Sequence, residues 1–178
     1  IKAGKYGESF EFKIANNIYD GILKSAVRFF YLQRCGTKVQ DADFGHPECH
    51  TARAVVYGNV ENSYDVTGGW HDAGDYGRYV VPAAKAACDL MLAYEHNKNA
   101  FASENILDEI KYELDWMLKM QIPETGAVFH KVSCREFPGE VMPQDEKDRL
   151  VLCPVSTAAT ADFAAAMAMA SRIFKEYE

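Results

Sequence analysis

The stretch that follows Tyr79 is apolar almost all the way round. Val80, Val81, Ala83, Ala84, Ala86, Ala87, Leu90, Met91 and Leu92 recur with helical spacing as far as about His96, and Pro82 is tolerable only in a first turn. Such a helix must be covered on several sides, so the rest of the chain has to supply the cover. Three further segments read as helices. Asn16 to Gln33 places Ile18, Ile22, Leu23, Ala26, Val27, Phe29 and Phe30 on an apolar face, with Gly36 after its end. Ser103 to Met120 is amphipathic, with Ile106, Leu107, Ile110, Leu114, Met117 and Leu118 on one face. Asp108, Glu109, Lys111 and Glu113 are expected mostly on the other, with Ser103 as N-cap. The fourth follows Pro154, with Ser156 or Thr157 as cap, and runs to about Tyr177 through small residues that permit close helix approach.

The remainder lacks periodicity. Cys35 to Tyr79 and residues 121–155 read as long irregular loops, the second with a hairpin around Gly126 that includes Ala127, Val128 and Phe129. Loops of that length carry function or are held by something other than a core. The expected fold class is therefore all-α, with long irregular loops emerging from one end. Phe10 and Phe12 alternate in a possible strand near Ser9 to Ile14, so residues 1–14 are expected to end a preceding module or to form a linker strand, and residues 15–178 to form the domain.

Charge narrows the partners. Twenty-six acidic against 19 basic side chains give a net charge of −7, with no basic block to neutralise phosphates. Nucleic acid and anionic membranes are poor partners for such a chain. No 18 apolar residues run together, so no membrane span is expected. Residues 1–10 contain Lys2, Gly4, Lys5, Gly7 and Glu8 where a signal peptide would be apolar; if the protein is exported, its signal lies outside this chain.

Chemistry concentrates in Gly68-Gly69-Trp70-His71-Asp72-Ala73-Gly74-Asp75-Tyr76-Gly77-Arg78. Four glycines disfavour a regular helix and permit tight turns, so Asp72 and Asp75 can converge on one point. Two close carboxylates bind a cation or hold and deprotonate a water. A surface turn rich in Asp and Gly has the same composition. Trp70 and Tyr76 can stack on a bound ligand or pack in a core, and Arg78 can pair with a nearby carboxylate or face solvent. Cys35, Cys49, His50 and His71 offer two thiolates and two imidazoles, enough for a tetrahedral ion, and all lie in a loop without a core of its own. Their spacing is not that of a zinc finger, and unrelated cysteines and histidines remain an alternative. His46 ranks as a substitute ligand. Five cysteines at irregular spacing are no disulfide framework, and Cys88 suits a core. Asp145, Glu146, Lys147, Asp148 and Arg149 read as a solvated loop.

The string from Gly68 to Val80 resembles the signature of the inverting cellulases of glycoside hydrolase family nine. Phe29-Phe30-Tyr31-Leu32-Gln33-Arg34-Cys35-Gly36 and Cys49-His50 are similar to the branch with an immunoglobulin-like module ahead of the catalytic domain. Phe129-His130-Lys131-Val132, Phe137-Pro138-Gly139, Val141-Met142-Pro143 and the run from Pro154 to Ala164 extend the likeness over nearly the whole chain. The resemblance implies an (α/α)6 barrel and hydrolysis of β-1,4-glucan with inversion. It implies Asp75 as general base, Asp72 as its water-holding partner and His130 in the sugar-binding cleft. It also implies structural zinc on Cys35, Cys49, His50 and His71, and an extracellular protein. Calcium is known in the family, with its usual ligands mostly beyond residue 178.

One departure matters. The family's general acid is a glutamate near the end of a much longer domain, and nothing in residues 150–178 resembles its surroundings. The chain is therefore expected to be the N-terminal portion of the barrel, inactive by itself, with the rest of the domain as its partner. Two rivals share the scaffold: a non-catalytic glucan-binding or scaffold module, and an enzyme for another glucan.

Overall fold

The computed structural model describes residues 1–177, and of Glu176 the backbone alone. Four α-helices are present among the described residues: α1 (Asp20–Leu32), α2 (Val80–His96), α3 (Ile106–Lys119) and α4 (Thr157–Ile173). The centre is α2, whose Val80, Ala84, Ala87 and Met91 are buried and recur every three or four residues. Against it lies α4, burying Ala159, Phe163, Ala166 and Ala170 at the same spacing. Small side chains on both contact rows let the two backbones approach closely, and burying Phe163 contributes about 2–3 kcal/mol. Ser156 caps α4 as expected, its hydroxyl accepting from the Ala159 N–H at 3.1 Å. The cap of α3 is Asn105, not Ser103, and it makes no side-chain capping bond.

The expectation of an all-α chain is overturned. Residues of both irregular stretches form a five-stranded mixed sheet of β1 (Ala54–Val56), β2 (Asn59–Tyr64), β3 (Arg78–Tyr79), β4 (Lys131–Ser133) and β5 (Val151–Leu152), in the order β2-β1-β5-β4-β3. Only β1 and β5 run parallel, with Val55 beside Val151 and Val56 beside Leu152. Val132 lies between Arg78 on one side and Leu152 on the other. Strands of two or three residues are too short to show the alternation by which a strand is read, and, the β1–β2 hairpin apart, their partners are far away in the chain. The sheet carries β3 directly into α2, and so joins the aspartate turn to the central helix.

Two further expectations change, and one apolar helix face stands open. Glu109 and Glu113 of α3 are 4 % and 0 % exposed, because they share one face with Ile106, Ile110 and Met117. The α1 face is not covered: of its apolar residues Val27 is buried, whereas Ile22 and Phe29 are more than half exposed. The stretch Ser9 to Ile14 forms no strand, and its Phe10 and Phe12 are exposed. The turn at Gly126 is present, with the Ile122 N–H donating to Ala127 O and the Phe129 N–H to Met120 O.

Candidate functional site

After α1 the chain turns at Gly36, whose φ of 76° suits glycine. Just before that turn, residues 33–35 run antiparallel to residues 69–71. The Cys35 N–H donates to Gly69 O at 2.8 Å, and the His71 N–H donates to Gln33 O at 2.7 Å. Two segments remote in sequence thus set Cys35 beside His71. The loop then doubles back through a pairing of Val39 with His46 and delivers Cys49 and His50, the latter at φ 50°.

The ligand atoms of Cys35, Cys49, His50 and His71 all lie within 4.8 Å of one another. Cys49 Sγ is 3.7 Å from His71 Nε2. Cys35, Cys49 and His71 are 0 %, 4 % and 5 % exposed. Burial pushes the Cys35 thiol well up. Cys49 is held far below its ordinary range by the Cys35 thiol and the two histidines, so one thiolate forms readily. Burial lowers the His71 pKa, which favours the neutral, ligating imidazole. The fit to a cation has one specific mark: His50 Nδ1 is buried without a hydrogen-bond partner, while His50 Nε2 sits 2.9 Å from Glu146 Oε2. Two sulfurs and two nitrogens suit a tetrahedral, borderline-soft ion. His46, the substitute ligand, falls outside this group of four: its ring centroid is 6.1 Å from that of His71, its Nε2 is buried without a partner, and its Nδ1 is 2.7 Å from Pro47 O.

Helix α3 braces this centre from behind. Glu109 accepts the Trp70 indole N–H at 2.7 Å and holds the Arg34 guanidinium, with Arg34 Nη2 at 2.8 Å. Arg34 also lies over the Tyr112 ring, at 4.4 Å, and the Tyr112 hydroxyl donates to Cys35 O. Arg34 adjoins Cys35 and Trp70 adjoins His71, so one buried carboxylate steadies two ligands. Trp70 is 7 % exposed and packs on Phe30, with ring centroids 4.7 Å apart. That is a packed residue, not a presented stacking platform. Arg78 takes neither role expected of it: it is fully buried and donates to Val66 O at 2.7 Å and Gly68 O at 2.9 Å.

The aspartates follow at once from His71. Residues Ala73–Asp75 make a single 3-10 turn, entered at Ala73 with φ 55° and left at Tyr76 with φ 51°. Across its mouth the Asp72 N–H donates to Gly77 O at 2.8 Å. A side chain at position 77 would strike the Tyr79 ring, 2.7 Å from its first carbon, so glycine is required there. Both oxygens of Asp75 are engaged: Oδ1 accepts the Gly77 N–H at 3.0 Å and Oδ2 the Tyr79 hydroxyl at 2.6 Å. Burial, and then Asp75, raise the Tyr79 pKa, so the phenol stays a donor. Lys131 Nζ reaches the same hydroxyl at 3.5 Å. Asp72 is exposed and lines a cleft of about 160 Å³ with Phe29, Phe30, Gln33, Tyr79 and Pro82. One carboxylate is thus held rigidly, and its neighbour is open to solvent.

Tyr76 lies beside the candidate ligands, its ring centroid 5.1 Å from that of His71, and its hydroxyl donates to Val141 O. His130 is half-buried at the entry to β4, with Nδ1 3.5 Å from Ser156 Oγ, and its carbonyl accepts the first N–H of α2. It therefore sits at the end of the sheet where α2 and α4 begin. The sequence reading missed Glu109, Tyr79 and Glu146. The side chain of Glu146 is 4 % exposed, not part of a solvated loop, and it is 96 residues from His50, beyond any local signal. Tyr79 lies four residues after Asp75, a spacing that carries no meaning outside this turn.

Comparison with known proteins agrees along nearly the whole chain. The sequence model of glycosyl hydrolase family 9 matches residues 19–178. Endoglucanase D of Acetivibrio thermocellus is 44 % identical over 191 residues, which cover 97 % of this chain and 31 % of that protein. The crystal structure of a mutant thermostable endoglucanase from Alicyclobacillus acidocaldarius superposes with a TM-score of 0.88 at 40 % identity, covering 93 % of this chain and 34 % of that one. A Zn-binding triple mutant of the family 9 endoglucanase J30 superposes with a TM-score of 0.86 at 36 % identity, covering 96 % and 36 %. The chain spans about a third of the length of these relatives.

Proposed function

Because the chain belongs to glycosyl hydrolase family 9, we propose that it is the N-terminal part of a domain that hydrolyses β-1,4-glucan by single displacement, inverting the anomeric centre. The observation that carries this reading is Asp75, fixed by the Gly77 N–H and the Tyr79 hydroxyl three residues after the exposed carboxylate of Asp72. A carboxylate oxygen has two lone-pair sites, so each Asp75 oxygen keeps one after these bonds. The free site on one of them takes the proton of a water as that water attacks C1. Asp72 accepts the water's second hydrogen and aims its lone pair. The leaving oxygen needs a proton from a carboxylic acid on the opposite side of the sugar, at roughly 6.5–9.5 Å from the base. That acid is proposed to lie in the part of the protein that the relatives' greater length supplies. The same part is proposed to cover the open α1 face of Ile22 and Phe29, and to place His130 and Tyr76 along the glucan.

The ion on Cys35, Cys49, His50 and His71 is proposed to be zinc, in a structural role. When bound, zinc supplies four short bonds that tie the loop before Gly69 to the start of the aspartate turn. His71 directly precedes Asp72, so this chain's own part is to convert a held ligand into a held backbone. An insoluble polymer cannot enter a cell, which supports an extracellular protein, and residues 1–14 are proposed as the linker ahead of the domain.

The test is Asp75→Asn in the complete protein, assayed on a soluble cello-oligosaccharide with the product anomer followed by NMR. A loss of about 10²–10⁴-fold in kcat, with the wild type releasing the α-anomer, is expected. Undiminished turnover by the variant, or β-anomer from the wild type, refutes the reading.

A further inference from the structure

The buried carboxylate of Glu146 has no function in the scheme above, yet it is bonded to one of the metal ligands. Its Oε2 is 2.9 Å from His50 Nε2, and the two side chains are 4 % and 3 % exposed. A carboxylate is an acceptor only, so the imidazole proton in this contact resides on Nε2. That leaves the lone pair on Nδ1, the buried atom without a partner that belongs to the four-ligand group. Glu146 therefore selects the tautomer that can ligate and holds the ring at the angle that aims it. A negative charge at the far nitrogen also makes the near nitrogen a stronger donor.

From this geometry we infer that Glu146 is a positioning residue for the metal centre: it acts through His50 to raise the affinity for zinc. The inference rests on the zinc reading above. It adds a structural consequence, because Glu146 belongs to the loop between β4 and β5. That loop also touches the end of the aspartate turn, where Val141 O accepts the Tyr76 hydroxyl. Glu146 is the link by which the ion orders this loop as well as the loop before Gly69.

The experiment compares wild type, Glu146→Gln and Glu146→Leu in the complete protein. Zinc affinity is read by competition with a chromophoric chelator, and melting temperature is read with and without zinc. Glu146→Leu removes both acceptor and charge, and is expected to weaken zinc by about 10–100-fold. Glu146→Gln keeps an amide oxygen for the Nε2 proton and loses only the charge, so its affinity falls between the two. The rise in melting temperature on adding zinc shrinks in the same order. A purely structural role would lower the melting temperature equally in both states and leave the affinity unmoved, which overturns the inference. Should Glu146→Leu not fold, the Gln variant decides: an affinity equal to wild type refutes the role. Wild-type protein that takes up no zinc overturns the zinc reading, and this inference with it.

Discussion

Replacing Glu109 by leucine should be among the most destabilising single changes in the chain. The side chain is 5 % exposed, and it answers two donors that have no other partner for the same atoms: the Arg34 guanidinium and the Trp70 indole. Breaking a buried ion pair by removing one member costs about 3–5 kcal/mol, because the other charge remains without compensation. Arg34 keeps 21 % of its side-chain surface and the faces of Tyr31 and Tyr112, so the lower end, about 3 kcal/mol, applies to it. An unsatisfied indole N–H adds about 1 kcal/mol, for about 4 kcal/mol in total. The measurement is the urea midpoint of the complete protein, followed by intrinsic fluorescence, with Arg34→Met and the double variant completing a cycle. The double variant should recover at least half of the loss, since no orphaned charge is left. Zinc should also leave Glu109→Leu faster, because Arg34 and Trp70 flank Cys35 and His71. A cost below about 1 kcal/mol, or purely additive single variants, would refute the bracing role.

Glu113 predicts a pH dependence. Burial pushes its carboxyl up to about 8 from an ordinary 4.5. The folded chain therefore keeps a proton that the unfolded chain releases, and the stabilisation is complete below pH 4.5 and is lost as pH rises through about 8. The slope in that window is about 1.4 kcal/mol per pH unit, and Glu113→Gln should flatten it in melting curves taken from pH 5 to 8.5. Gly69→Ala should cost about 3 kcal/mol in a denaturation experiment, since φ is 79° and the new carbon would lie 2.6 Å from Trp116. Gly74→Ala, with nothing within 4 Å, should be neutral to within about 0.5 kcal/mol. Stripping metal with a chelator should expose residues 36–50 to proteolysis, and zinc should restore protection; equal cleavage in both states would count against a structural ion. Tyr79→Phe removes a hydroxyl from Asp75 Oδ2 and should lower kcat by about tenfold with KM little changed, as expected for a bond that orients the proposed base.

Helix positions were legible wherever a long periodic run met a terminator. The start of α2 after Tyr79 and the Ser156 cap of α4 are examples. The four-ligand set was legible as residue types, and the structure brings all four together. What was hidden is everything that depends on partners remote in sequence. Glu109 and Glu113 look like the polar side of an amphipathic helix, because a charged residue is read as solvent-facing unless its partner is known. Glu146 looks like one charge in a run of five.

The sequence by itself determined the helices, the glycine positions that demand positive φ and the inventory of chemical groups, since these follow from local sterics and periodicity. Tertiary structure alone decided which groups meet. The pairings of β1 with β5, β5 with β4 and β4 with β3, the antiparallel contact of residues 33–35 with 69–71 and the ties of Glu109 and Glu146 all join segments far apart in the chain. Their stability comes from burial and from hydrogen bonds completed across that distance, and no local pattern of residues encodes either.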